Sequence, residues 1–371
     1  MKRTKDNNTV LFAGRYSEEE ILAGPELAAK KIFTEYCRGN SSVFIQYFFD
    51  GRKYSLFKKL FGREPAEHGG SEVLTLGIFR IIPELLRKKP AIIHLTTFGR
   101  FALIFYIYKL LFKVKILYNS HGIIQYENSE LKKLPFFYRF KDKFCERIFL
   151  KYSDKIIFPS EFAMDMAGKY YDLDESKAAI LPNGVSELFF GRKAKPQQPG
   201  SLKAVMHFKN EMNRSGLELL ERTLHSITAR LDIFVLTDAT ITLPQTEQVT
   251  FFISKMMPPE ELQIFYEDKD IFLSLNKYDT FSIAAAEAMA SGLIPVVTIQ
   301  TGISRYIQNG LNGFVFDHYD ITKFALILNT IGQMNLQERN DISSAASETA
   351  HELNWSKVYG MYEELYRNTA G

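Results

Sequence analysis

The sequence predicts an α/β protein of two domains, each a doubly wound parallel sheet covered by helices. Short apolar runs of strand length alternate with stretches rich in helix formers along most of the chain, which is the pattern of βαβ units. A length of 371 residues, with 46% apolar and 24% charged residues, exceeds what one hydrophobic core usually supports. A stretch at 194–200 rich in Pro, Gln and Lys indicates a linker between the halves.

Composition and charge narrow the class of protein. The two cysteines, Cys37 and Cys145, provide neither a disulfide framework nor the spacing of a metal site, which favours a cytoplasmic chain with free thiols. The basic N-terminus has no long apolar core, and no run reaches the length that spans a bilayer. Residues 1–184 carry 30 Lys and Arg against 21 Asp and Glu, while the remainder carries 16 against 22. This asymmetry suggests two domains with different partners.

The first half is predicted to contain six parallel strands with helices between most of them. Its first helix is expected to begin near Pro25 and end at Gly39, since Pro is favoured in the first turn and Gly after the last. The strands are expected at 9–13, 42–49, 91–95, 115–118, 155–158 and 179–181.

The second half is predicted to begin with strands at 204–208, 232–237 and 251–254. A complete βαβ unit follows. The apolar run 270–276 is a buried strand, 278–281 a polar turn, and 282–291 a helix dense in Ala, Glu and Met. Gly292 provides the helix C-terminus, and a second buried strand starts at Pro295.

Two carboxylates lie in this βαβ unit, Asp279 in the loop and Glu287 in the helix. Loops at the carboxyl ends of parallel strands face the ligand crevice, and a helix N-terminus there offers N–H groups to an anion such as a diphosphate. Asp279 is then placed to bind sugar hydroxyls, and Glu287 to bind the diol of a ribose. In the alternative interpretation, Asp279 only caps the helix and Glu287 is a solvated helix position. The pattern alone leaves both open.

The segment AEAMASGLIPVV, residues 286–297, resembles the donor-site motif of retaining glycosyltransferases of family 4 (glycosyl transferases group 1), which have the GT-B fold. In that motif two glutamates have seven residues between them, and here Asp279 replaces the first. The resemblance is strong over 270–316, where residues 310–316 also match well, and it is moderate over 154–185 and weak before residue 95. The resemblance implies two Rossmann-like domains facing a cleft, at 1–185 and 186–353, with a C-terminal helix at 354–371 that crosses back to the first domain.

The resemblance also implies an activity, the retaining transfer of a hexosyl-type sugar from a nucleotide-diphosphate sugar to an acceptor hydroxyl, with no metal and no cofactor. Lys209 and Arg214 match, with exchanged identity, an Arg and a Lys that grip the donor diphosphate in the family. His121 matches a histidine that holds the donor sugar and stabilises the charged transition state, and His94 is a weaker candidate. The expected catalytic residues are therefore His121, Lys209, Arg214 and Asp279. The expected donor-binding residues are Gly24, Phe281, Ser282, Glu287, Thr301 and Gly302.

The expected partners are the nucleotide-sugar donor, a saccharide or lipid-linked acceptor and an anionic membrane surface, with no nucleic acid. Residues 100–115 and 132–151 interleave aromatic side chains with Lys and Arg, as helices at membrane interfaces do. Core helices with a solvated charged side fit these stretches equally well. The expected location is the cytoplasm, at the inner face of the plasma membrane, and the expected pathway is cell-surface polysaccharide or glycolipid synthesis.

Two other classes of function remain open at this point. One is an enzyme resembling nucleotide-sugar epimerases on the same fold, which would need no acceptor. The other is a binding protein in which the altered positions Lys209, Asp279 and Thr301 mark lost catalysis. A sugar phosphorylase is disfavoured, because such enzymes have a much longer chain and a pyridoxal-binding lysine.

Overall fold

Residues 9–19, 21–22, 24–48, 54–68, 71–191, 201–208 and 214–370 are described by a computed structural model of the protein. The chain divides into two compact units. The first comprises Met1–Leu181 and Tyr359–Gly371, and the second comprises Pro182–Val358. The sequence-based border lay after residue 185, and the predicted linker at 194–200 lies outside the described residues.

The first unit is built on an eight-stranded sheet with the order β3-β4-β2-β1-β5-β6-β7-β8. Every neighbouring pair is parallel except β3 and β4. The strands are β1 Val10–Ala13, β2 Val43–Tyr47, β3 Arg63–His68, β4 Ser71–Leu76, β5 Ile92–Leu95, β6 Lys115–Asn119, β7 Lys155–Phe158 and β8 Ala178–Ile180. The helices are α1 Gly24–Gly39, α2 Leu56–Phe61, α3 Ile78–Lys88, α4 Leu103–Phe112, α5 Ile124–Tyr126, α6 Phe136–Tyr152 and α7 Glu161–Tyr170.

The second unit is built on a six-stranded, fully parallel sheet with the order β11-β10-β9-β12-β13-β14. The strands are β9 Leu202–His207, β10 Leu231–Leu236, β11 Val249–Ser254, β12 Ile271–Ser274, β13 Ile294–Thr298 and β14 Phe314–Phe316. The helices are α8 Arg214–Thr223, α9 Pro259–Tyr266, α10 Ile283–Ala290, α11 Ile321–Gln333 and α12 Leu336–His351. Apolar side chains pack on both faces of this sheet, which is why its strands read as continuous apolar runs.

The predicted α/β architecture is confirmed, but three strands were not predicted. Strands β3 and β4 form an antiparallel pair at the sheet edge, and residues 63–67 of β3 are exposed. An exposed edge strand needs no apolar face, so the polar sequence REPAEH carries no strand pattern. Strand β14 has only three residues, too few for a periodic signal.

The last helix, α13 Trp355–Ala370, starts in the second unit, and its residues from Tyr359 onward belong to the first. His94 of β5 contacts this helix through a hydrogen bond. The His94 Nδ1 is 2.7 Å from the Tyr366 hydroxyl, and the His94 Nε2 is 2.8 Å from Asn119 Oδ1. Asn119 in turn donates to the Tyr362 hydroxyl at 3.2 Å. Burial lowers the pKa of His94 to about 4. His94 therefore fastens α13 to the sheet, and the structure does not favour it as a catalytic residue.

The two chain segments that enter and leave the second unit are paired. The Val185 amide donates to the Leu353 carbonyl at 2.7 Å, and the Trp355 amide donates to the Val185 carbonyl at 3.2 Å. A Cβ at Gly184 would collide with the Trp355 ring, so only glycine permits this approach. None of the helices in the described part of the chain combines the length and hydropathy needed to cross a membrane.

Candidate active site

The loop between β12 and α10 is organised around Asp279. The Oδ1 of this half-buried residue accepts hydrogen bonds from the amides of Phe281 at 3.1 Å and Ser282 at 2.9 Å. Its backbone is also bonded, because the Asp279 amide donates to the Gln300 carbonyl and its carbonyl accepts from the Gly302 amide at 2.9 Å. Asp279 therefore shapes the loop at the carboxyl edge of the sheet. Both amides precede the first helical residue, Ile283, so these bonds order the loop and do not cap the helix.

Helix α10 presents its first amides at this edge. Ser282 precedes the helix with a left-handed φ of 71° and caps no amide with its own side chain in the described structure. Its hydroxyl lies 3.1 Å from that of Ser274. The first amides of a helix lack intrahelical acceptors. Here these include the amides of Ile283 and Ala284, which are half-buried residues, whereas Ala285 is buried. Such a set of amides, at the positive end of a helix, suits an anion.

Glu287 lies on the same face of α10 as Ile283 and Ala284. Ala285, Ala286, Ala288, Met289 and Ala290 are buried, whereas Ile283, Ala284 and Glu287 are half-buried. The spacing of these three, i, i+1 and i+4, places the Glu287 carboxylate one turn along the helix from Ile283. An anion held at the first turn would thus have a carboxylate within one turn of it.

Glu287 also has a buried neighbour, Tyr266 of α9. Burial is the main reason that the pKa of Tyr266 lies well above its ordinary value, and the negative charge of Glu287 raises it further. The Tyr266 hydroxyl lies 3.0 Å from His207 Nε2 at the end of β9. Sequence reasoning missed this Tyr266–His207 pair. The position of His207 as the last residue of an apolar strand was the available signal.

At four of the predicted donor-binding residues, the backbone amide is hydrogen-bonded within the protein. The amides of Phe281 and Ser282 are taken by Asp279. The Thr301 amide and hydroxyl both donate to the Thr298 carbonyl, and the Gly302 amide donates to Asp279. These bonds order the loop, and the amides of Ile283 and Ala284 are further candidate donor contacts.

Of the two predicted diphosphate-binding cations, Arg214 lies within the described residues. Arg214 is the first residue of α8, and its Nε lies 3.9 Å from the Glu218 carboxylate. Its side chain is 54% exposed, so this ion pair is screened by solvent and weak. Lys209 lies outside the described residues.

In the first unit, the turn after β1 is formed by Gly14 rather than by the predicted Gly24, which is the first residue of α1. A Cβ at Gly14 would collide with the Thr96 hydroxyl. The Arg15 amide donates to the Thr97 hydroxyl at 3.0 Å. Gly14 thus lets the loop after β1 approach the end of β5. In the sheet order, β2 and β4 extend on one side of β1, and β5, β6, β7 and β8 extend on the other side. Such a switch point is the usual ligand crevice of an open sheet.

His121 follows β6 near this switch point. Burial of its ring, with a smaller contribution from His94, lowers its pKa to about 4, although a hydrogen bond with the backbone of Thr96 opposes the shift. His121 is therefore a neutral imidazole at neutral pH. A neutral ring can donate one hydrogen bond and accept another.

The loop after His121 is held by hydrogen bonds to Glu146 of α6. Its buried carboxylate accepts the amides of Ile124 at 2.7 Å and Gln125 at 2.9 Å, and the Tyr171 hydroxyl at 2.5 Å. Burial nevertheless raises the pKa of Glu146 to about 7, against the effect of these three bonds. Sequence reasoning missed Glu146, because one of two acids within a basic helix has no distinguishing pattern.

A cavity of about 1040 Å³ in the first unit has His121 in its lining. Its polar lining contains three ion pairs, Arg15–Glu26 at 3.8 Å, Lys132–Glu127 at 3.1 Å and Arg100–Asp142 at 2.5 Å. Helices α3 and α4, with the turn before α4, contribute an apolar wall of Ile78, Phe79, Ile82, Phe101, Leu103, Ile104 and Ile107. The cavity thus places polar groups near His121 and carbon side chains along the two helices.

Among the described residues, no group of three or more His, Cys, Asp and Glu side chains is arranged to hold a metal ion. Cys37 is half-buried and Cys145 is buried, and both are free thiols.

Two family models match the chain, mostly one in each unit. Residues 56–187 match Glycosyltransferase Family 4, and residues 242–349 match Glycosyl transferases group 1. The second match includes Asp279, α10 and the turn that closes on Asp279.

Two known glycosyltransferases are similar to part of the chain in sequence. The chain is 28% identical over 116 residues to D-inositol 3-phosphate glycosyltransferase of Corynebacterium urealyticum, which covers 31% of this chain and 27% of that protein. It is 26% identical over 122 residues to GDP-mannose:cellobiosyl-diphosphopolyprenol alpha-mannosyltransferase of Komagataeibacter xylinus, covering 30% and 28%. These matches span less than a third of each relative's length.

Similarity of fold extends over the whole chain. The structure of Anabaena HepE in complex with UDP and glucose is similar, with a TM-score of 0.71 and 14% identity, covering 97% of this chain and 99% of that one. The parallel sheets and this likeness show the GT-B fold. From the two domain matches we conclude that the chain belongs to the family 4, group 1 glycosyltransferases.

Proposed function

We propose that this protein is a retaining, metal-independent glycosyltransferase that moves a sugar from a nucleoside-diphosphate sugar to an acceptor hydroxyl in cell-surface polysaccharide or glycolipid synthesis. The observation that carries the proposal is helix α10, in which the first amides lack intrahelical acceptors and the half-buried Glu287 lies one turn further along. This pairing of an anion site with a carboxylate matches the two ends of a nucleoside diphosphate, the phosphates and the ribose diol.

On the donor side, the amides of Ile283 and Ala284 hold the diphosphate and stabilise the charge that develops as it leaves. Arg214 adds a cation, and Lys209 is proposed for the same task. Glu287 accepts hydrogen bonds from the ribose diol. The bonded Oδ1 of Asp279 fixes the loop, while its other oxygen is proposed to orient the transferred sugar.

On the acceptor side, neutral His121 is proposed to hold the transferred sugar through one hydrogen bond. A neutral ring avoids repulsion with the positive charge that grows on the sugar in the transition state. The leaving phosphate takes the proton of the acceptor hydroxyl, in a front-side substitution that needs no enzymic nucleophile and gives retention. No cofactor takes part in this scheme.

Calorimetric titration with UDP, GDP and ADP tests donor binding, and product analysis with and without acceptors tests transfer. We expect one nucleoside diphosphate to bind with micromolar affinity, activity to survive EDTA, and the anomeric configuration to be retained. Release of an altered free sugar without acceptor would favour the epimerase alternative. Nucleotide binding without any product would favour the binding protein.

We further propose that the first unit contacts an anionic membrane surface. Large apolar side chains of α4 and α6 are exposed, namely Ile107, Leu110, Leu111, Phe112, Phe136, Phe137, Phe140 and Phe144. Exposed cations alternate with them on α6, and the Lys141 Nζ lies 3.9 Å from the Phe137 ring centroid. The two helices are joined by Lys109, which donates to the Tyr152 carbonyl at 2.8 Å. Apolar side chains flanked by cations suit the interface of an anionic bilayer.

Vesicle co-sedimentation tests this contact. We expect salt-sensitive binding to vesicles containing phosphatidylglycerol and none to neutral vesicles. A triple variant should abolish it, since each cation near the surface contributes about 1 kcal/mol; the substitutions are Lys141→Glu, Lys143→Glu and Arg147→Glu. A matched triple in the second unit should leave it intact; the substitutions are Arg230→Glu, Lys255→Glu and Lys323→Glu. Binding indifferent to lipid charge would refute the proposal.

A further inference from the structure

We propose that the apolar wall of the cavity in the first unit binds the hydrocarbon tail of an amphiphilic acceptor, with the head group on the polar side beside His121. The term acceptor rests on the proposed glycosyl transfer. Tail binding itself can be measured without any transfer.

The chemistry of the wall decides the class of ligand. Ile78, Phe79 and Ile82 of α3 face Ile104 and Ile107 of α4 in the lining, and none of these side chains can hydrogen-bond. A saccharide placed against them would lose water from its hydroxyls without recovering partners, which is unfavourable. A hydrocarbon chain loses nothing there and gains from the removal of apolar surface from water.

The wall is held in place by the fold. Helices α3 and α4 pack together, and the Tyr108 hydroxyl of α4 donates to the Leu85 carbonyl of α3 at 3.2 Å. At about 1040 Å³ the cavity reaches the upper end of the range for small-molecule sites, about 300–1,000 Å³. It therefore has room for a head group and part of a tail together.

The wall is continuous with the apolar surface proposed to meet the membrane. Phe79 and Ile107 line the cavity and are also 59% and 57% exposed. Beyond Ile107, the same helix exposes Leu110, which is 84% exposed and is not part of the lining. A tail can thus pass from an apolar phase into the cavity without crossing a polar surface.

The polar side offers groups for the head. Arg15 with Glu26, and Lys132 with Glu127, place donors and acceptors in the same lining as His121. Such mixed pairs bind hydroxyl and phosphate groups alike. The carbon wall distinguishes this site from one for a free saccharide.

The test uses the full chain and cis-parinaric acid, a fluorescent fatty acid, below its micellar concentration. We expect saturable binding that is competed by alkyl phosphates, with each methylene tightening the competition roughly fourfold from butyl to octyl to dodecyl phosphate. Inorganic phosphate should not compete. A comparison of dodecyl with farnesyl phosphate then separates an acyl from an isoprenoid preference, and either preference supports tail binding.

Three variants locate the site. Phe79→Ser and Ile107→Ser should each weaken the affinity for cis-parinaric acid about tenfold, because each removes a large side chain from the wall. Leu110→Ser is the matched control, on the same helix and more exposed, and should leave the affinity unchanged. Both Ile107→Ser and Leu110→Ser keep the core intact, since neither side chain is buried.

Equal weakening by Leu110→Ser, competition independent of chain length, or the absence of saturable binding would each overturn the inference. Calorimetry with nucleoside diphosphates on the same samples separates the two proposals. Tail binding without nucleotide binding would sink the proposed function and keep this site. Nucleotide binding and transfer without tail binding would do the reverse.

Discussion

Asp279 is predicted to stabilise the second unit through its side chain as well as to serve catalysis. Asp279→Ala removes the acceptor of two backbone amides, at 3.1 and 2.9 Å. A hydrogen bond to a charged group contributes about 1.5–3 kcal/mol. Since Asp279 is half-buried and partly screened, we expect a loss of about 2–3 kcal/mol in all. Asp279→Asn keeps an Oδ1 in the same place and should lose about 1 kcal/mol or less.

The assay is urea unfolding followed by the fluorescence of the single tryptophan, Trp355, which is buried in the second unit. Asp320→Ala is the matched control. Asp320 caps α11 by accepting the Lys323 amide at 2.8 Å, so its loss should cost about 1 kcal/mol and leave nucleotide binding untouched.

Turnover separates the two roles of Asp279. Asp279→Asn should lower turnover while the affinity for the bare nucleoside diphosphate stays within about twofold, a change below about 0.5 kcal/mol. If Asn destabilises as much as Ala, the amide bonds do not hold the loop. If Asn weakens the diphosphate and the whole donor equally, the assignment of Asp279 to the sugar is wrong.

Three further predictions concern the side chains of Glu287, Tyr366 and Glu146. Glu287→Gln should weaken calorimetric binding of the nucleoside diphosphate about tenfold or more, since a charge-assisted bond contributes roughly 1.5–3 kcal/mol; unchanged affinity would remove Glu287 from the site. Tyr366→Phe should destabilise the first unit by about 1–2 kcal/mol in far-UV circular dichroism melts, because the buried Nδ1 of His94 loses its partner; an unchanged melt would show that this bond does not hold α13. Burial raises the pKa of Glu146 from 4.5 to about 7, so the stability that it contributes is full below pH 4.5 and is lost as the pH rises to about 7, on the order of 3 kcal/mol. Glu146→Gln should therefore flatten the pH dependence of unfolding in that window, and an unaltered profile would contradict the raised pKa.

The sequence by itself determined the βαβ units and the outline of the donor loop. These features are local. An apolar run of four to six residues, a stretch of Ala, Glu and Met, and Gly292 at the helix end carry their conformational preferences within a few residues of chain. The edge strand β3 buries no apolar face. Its sequence therefore carries no such local pattern, and the strand was not predicted.

Only the tertiary structure decided how the polar groups are used. His94 pairs with Tyr366 across 272 residues of sequence, and the Gly302 amide donates to the Asp279 carbonyl. The partners of this histidine and of this loop amide could therefore not be assigned from their neighbours in the chain. The cavity wall likewise exists only because α3 and α4 pack side by side. A buried polar group must find whichever partner the packing brings to it, and packing depends on the whole sheet rather than on any local pattern.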